Sequence, residues 1–414
     1  MTGTRLFLIG LVSSCVMLGL SFLVYGYDNT WRLWNIPTMN PYFADARVIT
    51  SASESRAMGY DPLQQNPADI MWRRMNYPRI WMTLCPANVG QRHTLYFGLT
   101  FIALFLVGIV AYAAGIVDYL SAQLVLFGVF SPAVMLGVER ANSDLLIFFL
   151  AAVAILLLSR NSILSKVVGF GSICVAFVLK LFPIFAFVYL LKHKRSALIT
   201  LGLVVVVLGA IYTAITYDDL VLVRRGTPKS KTLSYGINVA WMKAQQYNPR
   251  LGGTIKNVSY VAVCIGFLAS AMGYLAERRG YDAATGRNDR KRIDAFRVGS
   301  GIYIGTFLLG NNWDYRLMFL LFTLPQLALW AKSAGPAVAW FARIVIGAML
   351  VSMWHLSFNW VLGFVPAGIE IAFVLDELAD WTVFLGLAYL ITCSAPDWLR
   401  RGATDPAPLT GRAG

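Results

Sequence analysis

The chain has 414 residues, 57% of them hydrophobic and only 14% charged, with 35 lysines and arginines against 21 acids and a formal net charge of +14. A soluble chain would carry roughly a quarter charged residues, so the composition excludes a soluble globular protein. It predicts an all-α polytopic bundle, because apolar runs of bilayer length recur and a barrel would be written in shorter alternating strands.

The basic excess points to membrane lipids with anionic headgroups or to a phosphorylated ligand. It points away from nucleic acid, because the basic residues lie in loops between apolar runs. The five cysteines show no CxxC or metal spacing and there are only three histidines, which argues for no metal centre and for cysteines that act as small core residues.

In chain order, the first apolar stretch, Arg5–Gly26, is too long for a signal-peptide core and reads as a retained helix. A polar and aromatic segment follows over 27–92. Helices are then expected at 95–115, 119–137, 143–159 and 163–179, a short one at 182–192 and a full one at 197–215. A polar loop over 216–255 separates these from helices at 256–275, 296–310, 316–332, 336–355 and 379–394. The apolar stretch 360–375 reads as re-entrant or surface-lying. This gives about twelve spans, some short or broken, in one transmembrane domain over 1–402. The tail 403–414 has the composition of a disordered segment.

The short loops Arg160–Lys166, Lys192–Arg195, Arg278–Arg297 and Trp398–Arg401 are basic, and the positive-inside rule places them in the cytoplasm with both termini. The basic loop 276–297 is then cytoplasmic, while 27–92 and 216–255 are extracytoplasmic. Alternation requires 163–192 to be two short crossings meeting at Lys180–Pro183, a kind of break tolerated where helices line a cavity.

With that topology most polar motifs gather at the extracytoplasmic face. Asp45, close after the first helix and near Arg47, Tyr77 and Arg79, suits deprotonation of a hydroxyl; a solvated ion pair is the other reading. The run "SPAVMLGVERANSDLLIFFL" brings Glu139, Arg140, Asn142, Ser143 and Asp144 to the mouth of two apolar helices. One of Asn142, Ser143 and Asp144 fits a helix cap. Lys180 meets a lipid phosphate or snorkels to the interface. In "GNNWDYRLMFL", Asn311, Asn312 and Arg316 are ligand candidates, and Asp314 fits a cap. The loop with Arg224, Arg225, Lys229 and Lys231, then Tyr235 and Asn238, suits a phosphate and a sugar ring or is a solvated basic face. His93 and His355 each sit at an outside helix end, where a lone histidine is more often structural, and of the two His355 is the ligand candidate.

The ordered set of Asp45, Gly59–Pro62 (Gly-Tyr-Asp-Pro), Tyr77-Pro78, Asn142–Asp144 and Lys180–Pro183 resembles glycosyltransferase family 87. That family comprises GT-C-type membrane enzymes, including mycobacterial phosphatidylinositol-mannoside mannosyltransferases. The resemblance covers most of the first 200 residues and loosens afterwards. It implies a polyprenyl-phosphate sugar as donor, with no separate cofactor, and a glycolipid or glycan acceptor at the outer face of a bacterial inner membrane. It implies Asp45 as general base and Lys180, Arg140, Arg316, Arg224 and Arg225 as candidates for the donor phosphate. Two departures, Arg79 after Tyr77-Pro78 and asparagines at 311–312 where those mannosyltransferases would show a histidine, leave the sugar open. The expectation is an inverting glycosyltransferase. A transporter or flippase of a lipid-linked saccharide is the alternative, and it would need an internal repeat and polar residues near the bilayer midplane, neither of which the sequence shows.

Overall fold

The computed structural model describes residues 2–85, 88–276 and 287–395. The tail, Trp398–Arg401 and the middle of the basic loop lie outside the described residues. The chain is helical almost throughout: α1 (Gly3–Leu33), α2 (Ala44–Ala57), α3 (Ile80–Leu84), α4 (Thr94–Ala113), α5 (Tyr119–Val129), α6 (Pro132–Arg140), α7 (Asp144–Leu158) and α8 (Ile163–Leu179). A long 3₁₀ helix, Phe182–Lys192, precedes α9 (Arg195–Ile215), α10 (Tyr217–Gly226), α11 (Val239–Tyr247), α12 (Pro249–Ala276) and α13 (Arg287–Leu309). A second long 3₁₀ helix, Asp314–Phe322, leads into α14 (Leu324–Ser333), α15 (Pro336–Met353), α16 (His355–Leu362) and α17 (Gly368–Cys393). Among the described residues the strands are a two-residue antiparallel pair, with Ser234 opposite Trp313 and Tyr235 opposite Asn312.

Local chemistry sets the boundaries. In α1, Gly26 has φ +75° and interrupts the helix, where the apolar run ends. Asp118 and Ser121 form a capping box at the start of α5, with reciprocal bonds of 2.8 Å. Between α5 and α6, Ser131 caps and Pro132 opens the next helix, and the two helices are bent by 49°.

Among the described residues five helices are long and apolar enough to cross a membrane, and six if the bent α5–α6 pair is one span. α9 makes the physical case: Gly209 is its only buried residue among those described, while Leu203, Val206, Leu208 and Ile211 are exposed. An apolar helix uncovered on nearly every side is stable in hydrocarbon and unstable in water. Of the remaining expected spans, α7, α8 and the first 3₁₀ helix are shorter apolar elements of 15, 17 and 11 residues, while α13 and α17 are long but carry more charge.

The core lies where α7 packs among α4, α8, α13 and the second 3₁₀ helix. Phe148 of α7 stacks on Phe322 at 4.2 Å and meets Phe105 edge-on at 5.0 Å. Two expectations need correcting. The segment 216–255 is a folded run of α10, the short strand and α11 rather than a loop, and α12 already begins at Pro249. The last helix begins at Gly368, so the C-terminal half of the supposed re-entrant stretch is the first turns of α17.

Candidate functional site

The polar face is built around the corner between α6 and α7. Ala141 ends α6 with φ +44°, an uncommon conformation for a residue with a Cβ, and this reversal precedes Asn142 and Asp144. The Asn142 side-chain oxygen accepts from the Asp144 backbone N–H at 2.9 Å and from Lys180 Nζ at 2.9 Å. Its acceptor is thereby committed, so the amide nitrogen must face the other way, where it donates to Asp45 Oδ2 at 2.6 Å.

Asp45 sits in the first turn of α2, where the helix dipole favours an anion. Its other oxygen has Arg73 Nη1 at 3.9 Å, and its side chain is 19% exposed. Arg73 is itself held by Asp69, through Nε at 3.2 Å and Nη2 at 2.9 Å, and by the Ala44 carbonyl at 2.7 Å.

Asp144 is fully buried between two cations, Lys180 Nζ at 2.5 Å and Arg316 Nε at 3.2 Å. The Lys180 ammonium lies 5.1 Å from the Tyr77 ring centroid and the Arg316 guanidinium 4.8 Å from that of Phe182, contacts that favour a desolvated cation. Arg316 also donates through Nη1 to the Asn312 side-chain oxygen. Its Nη2 has no partner among the described residues, and the side chain keeps 18% exposure.

Glu139 is also fully buried, and both its oxygens are used. One accepts from the Met39 backbone N–H at 3.0 Å and the other from Arg140 Nε at 2.7 Å. The Tyr27 hydroxyl donates to the Glu139 carbonyl at 3.1 Å, so this pair anchors the segment after α1. Of the three carboxylates Asp45, Glu139 and Asp144, only Asp45 combines solvent access with an oxygen that no donor satisfies. Arg47 is buried nearby; Nη1 donates to the Pro41 carbonyl, and Nε and Nη2 lack hydrogen-bond partners.

The remaining candidates are distributed more widely. Arg79 clamps α10 to the Asp61 turn, bonding Asp219 at 2.8 Å and Asp61 at 3.1 Å through two nitrogens each. Arg224 and Arg225 are exposed at the end of α10 and join no ion pair among the described residues. Tyr235 is a core residue, bonded to Thr306 at 2.7 Å and stacked on Tyr303 at 5.1 Å. Gly236 beside it has φ +128°, and a Cβ there would lie 2.3 Å from the Gly310 carbonyl. Asn311 ties down the preceding loop through the Ser230 carbonyl at 2.6 Å and Ser234 Oγ at 3.2 Å. Asn238 lines a cavity of about 340 Å³ with Lys229, Lys231, Trp241 and Gln245. His93 accepts from the Gly90 backbone N–H at 3.1 Å, a local turn contact.

His355 belongs to a separate buried group. Its Nε2 is 3.3 Å from Asp314 Oδ2, and its Nδ1 is 2.9 Å from the Ser352 carbonyl and 3.9 Å from Asp376. Asp380 accepts from Ser352 Oγ at 2.6 Å, and Glu377 is buried beside it. Asp376, Glu377 and Asp380 lie roughly 12 to 18 Å along α17 from Gly368, at 1.5 Å per residue, so ionisable residues do not collect only at helix ends. These acids and Arg73 were missed by sequence reasoning. The signal for the acids was present: "DELAD" interrupts an apolar run, and intramembrane acids mark functional or structural polar sites. Arg73 carried none, because its approach to Asp45 depends on how the 58–79 segment folds back.

Compared with protein-family models, curated proteins and solved structures, the chain matches none.

Proposed function

We propose that the protein is an inverting glycosyltransferase of the GT-C type, similar to glycosyltransferase family 87, with Asp45 as general base. It takes a sugar from a polyprenyl-phosphate donor and passes it to a hydroxyl of a glycolipid or glycan at the outer face of a bacterial cytoplasmic membrane. In this reading α7, α8, Phe182–Lys192, α13, the Asp314–Phe322 helix with α14, and α17 cross as well, giving about twelve spans. The observation that carries the proposal is the Asp45 carboxylate, held by Asn142 at 2.6 Å and left with one open oxygen.

The acceptor oxygen attacks the anomeric carbon as Asp45 takes its proton. The new glycosidic C–O bond forms while the C–O bond to phosphate breaks, and polyprenyl phosphate leaves as the anion. A base must reach the proton it removes, which the free Asp45 oxygen permits. Charge growing on the phosphate calls for nearby donors. The unpaired Arg316 Nη2, the unpaired Arg47 nitrogens and the Lys180 ammonium supply them. The cavity at Trp241 and Asn238 offers an aromatic face and amides suited to a sugar ring.

The test is transfer from a panel of radiolabelled polyprenyl-phosphate sugars by wild type and by Asp45→Asn in matched membranes. The proposal expects transfer by wild type and a loss of at least about 100-fold in the variant, at the level of general-base catalysis. Equal transfer by both would remove Asp45 from the mechanism.

One observation favours the second reading, a transporter of a lipid-linked saccharide. Four buried acids, Asp314, Asp376, Glu377 and Asp380, form no ion pair with lysine or arginine among the described residues, and two of them, Asp314 and Asp376, lie within 4 Å of His355. Proton-coupled carriers place acids in this way. Uptake of a labelled lipid-linked saccharide into vesicles, lost in Asp380→Asn while Asp45→Asn retains it, would favour that reading.

A further inference from the structure

At 1.5 Å per residue, α7 carries the chain roughly 20 Å from Asp144 to Leu158, and both α8 and the first 3₁₀ helix run between the same two ends. The far end, away from Asp45, holds a cavity of about 350 Å³ with a strongly one-sided lining. Five cations face it, Arg160, Lys166, Lys192, Arg290 and Arg297, against one acid, Asp294. Asp294 is already engaged by Lys192 at 2.7 Å and Arg297 at 3.7 Å. Arg160 and Lys166 are exposed and form no ion pair or side-chain hydrogen bond among the described residues; the same holds for Arg290. Concentrating free cations in one concavity costs repulsion that an anion would relieve.

A second hollow, of about 330 Å³, opens beside the first and shares Leu158, Lys166, Lys192 and His193 with it. Its remaining walls are apolar or aromatic: Ile163, Val167, Phe170, Tyr189 and Leu201. It lies between α8 and α9, whose apolar surfaces are open to the surroundings. A basic recess joined to a greasy groove at the end of membrane helices matches one kind of occupant in charge and polarity, a phosphate headgroup with a hydrocarbon chain attached.

We propose that this end of the bundle is a binding site for one anionic phospholipid, its phosphate held at Arg160, Lys166 and Arg290 and an acyl chain lying in the Ile163–Phe170 groove. The site is distinct from the Asp45 network and does not rest on the transferase reading. Three unpartnered cations favour a headgroup with more than one negative charge. The lipid would brace the junctions of α7, α8 and the first 3₁₀ helix, the elements that also deliver Asp144 and Lys180 to the other end.

Native mass spectrometry of the full chain in detergent tests this, with cardiolipin and phosphatidylcholine added as probes. One cardiolipin is expected to be retained in preference to phosphatidylcholine. Arg160→Ala with Lys166→Ala is expected to weaken retention roughly tenfold or more, since each basic residue near an anionic headgroup contributes on the order of 1 kcal/mol. Val167→Trp, which fills the groove and leaves every charge in place, should lower it by a similar factor. Lys194→Ala with Arg195→Ala, at the start of α9 and outside both hollows, should stay within about twofold of wild type by the same reasoning. Equal losses in the two charge pairs would mean diffuse surface attraction and overturn the site. Unchanged retention in Val167→Trp, with loss in the first pair, would leave a pocket for a free anion and overturn the lipid. No preference for cardiolipin would overturn the proposal outright.

Discussion

At the Asn142 side chain one amide serves three neighbours: it caps α7, accepts from Lys180 and orients Asp45. Asn142→Ala should therefore cost about 1 kcal/mol as a lost cap and should also lower transfer, while Asn142→Ser keeps the cap and still loses transfer. Thermal unfolding and turnover measured side by side separate the two effects. Asp144 is the buried counter-charge of Lys180 and Arg316. Asp144→Ala strands two cations and should destabilise by roughly 3–5 kcal/mol, read from denaturant unfolding in detergent; a loss under about 1 kcal/mol would show that the pair is solvated. For Asp61, burial pushes the carboxyl up, but Arg79 outweighs it and holds the group below the usual carboxylate range. The folded state then binds the proton less tightly than the unfolded chain. The clamp stabilises fully above about pH 4 and is lost as pH falls through the lower folded value. The Tm gap between wild type and Asp61→Asn should be constant from pH 7 to about 5 and close below about 4.

Elements meet closely where glycine allows it. α13 presents Gly299, Gly301 and Gly305 to the two 3₁₀ helices. A Cβ on Gly301 would lie 2.4 Å from the Phe185 carbonyl oxygen, and one on Gly299 2.7 Å from that of Phe319. Small residues at such contacts let backbones approach, and the 3₁₀ rise of about 2 Å lets eleven residues cover roughly 20 Å. Gly301→Ala should cost roughly 1–3 kcal/mol through overpacking. Gly171→Ala on α8, where nothing lies within 4 Å, should be neutral or stabilise by up to about 1 kcal/mol. Similar losses for both substitutions in unfolding would mean that α13 does not pack against the first 3₁₀ helix in this way.

For the whole molecule, the Asp45 network and the basic recess lie at opposite ends of α7, α8 and the first 3₁₀ helix, while Asp376, Glu377 and Asp380 sit between the ends of α17. In a background without native cysteines, Lys229→Cys and Asn161→Cys should react with an impermeant maleimide from opposite sides of the membrane. The proposed orientation makes Lys229 the outer one. Labelling of both from the same side would overturn the topology. The expected setting of a bacterial inner membrane with cytoplasmic termini is tested by the same experiment in intact cells.

The sequence by itself determined that helices would be buried in lipid, because hydrocarbon forces the backbone to satisfy itself and admits few charges. Where apolar runs ended at polar or proline residues, boundaries were legible: 163–179 and 182–192 coincide with α8 and the first 3₁₀ helix. Where composition was mixed they were not. α10 and α11 are surface helices hidden in a polar stretch, and α17 was expected only from 379, with Asp376 and Glu377 lying between that helix and the stretch 360–375. The gathering of Asp45, Asn142, Asp144, Lys180 and Arg316 was anticipated only as a shared face. Tertiary structure decided the pairings within it, because a carboxylate's role depends on which donors reach it. Glu139 is hydrogen-bonded on both oxygens and Asp144 is buried between two cations, while Asp45 keeps solvent access and an oxygen without a hydrogen bond, a difference that no spacing along the chain encodes.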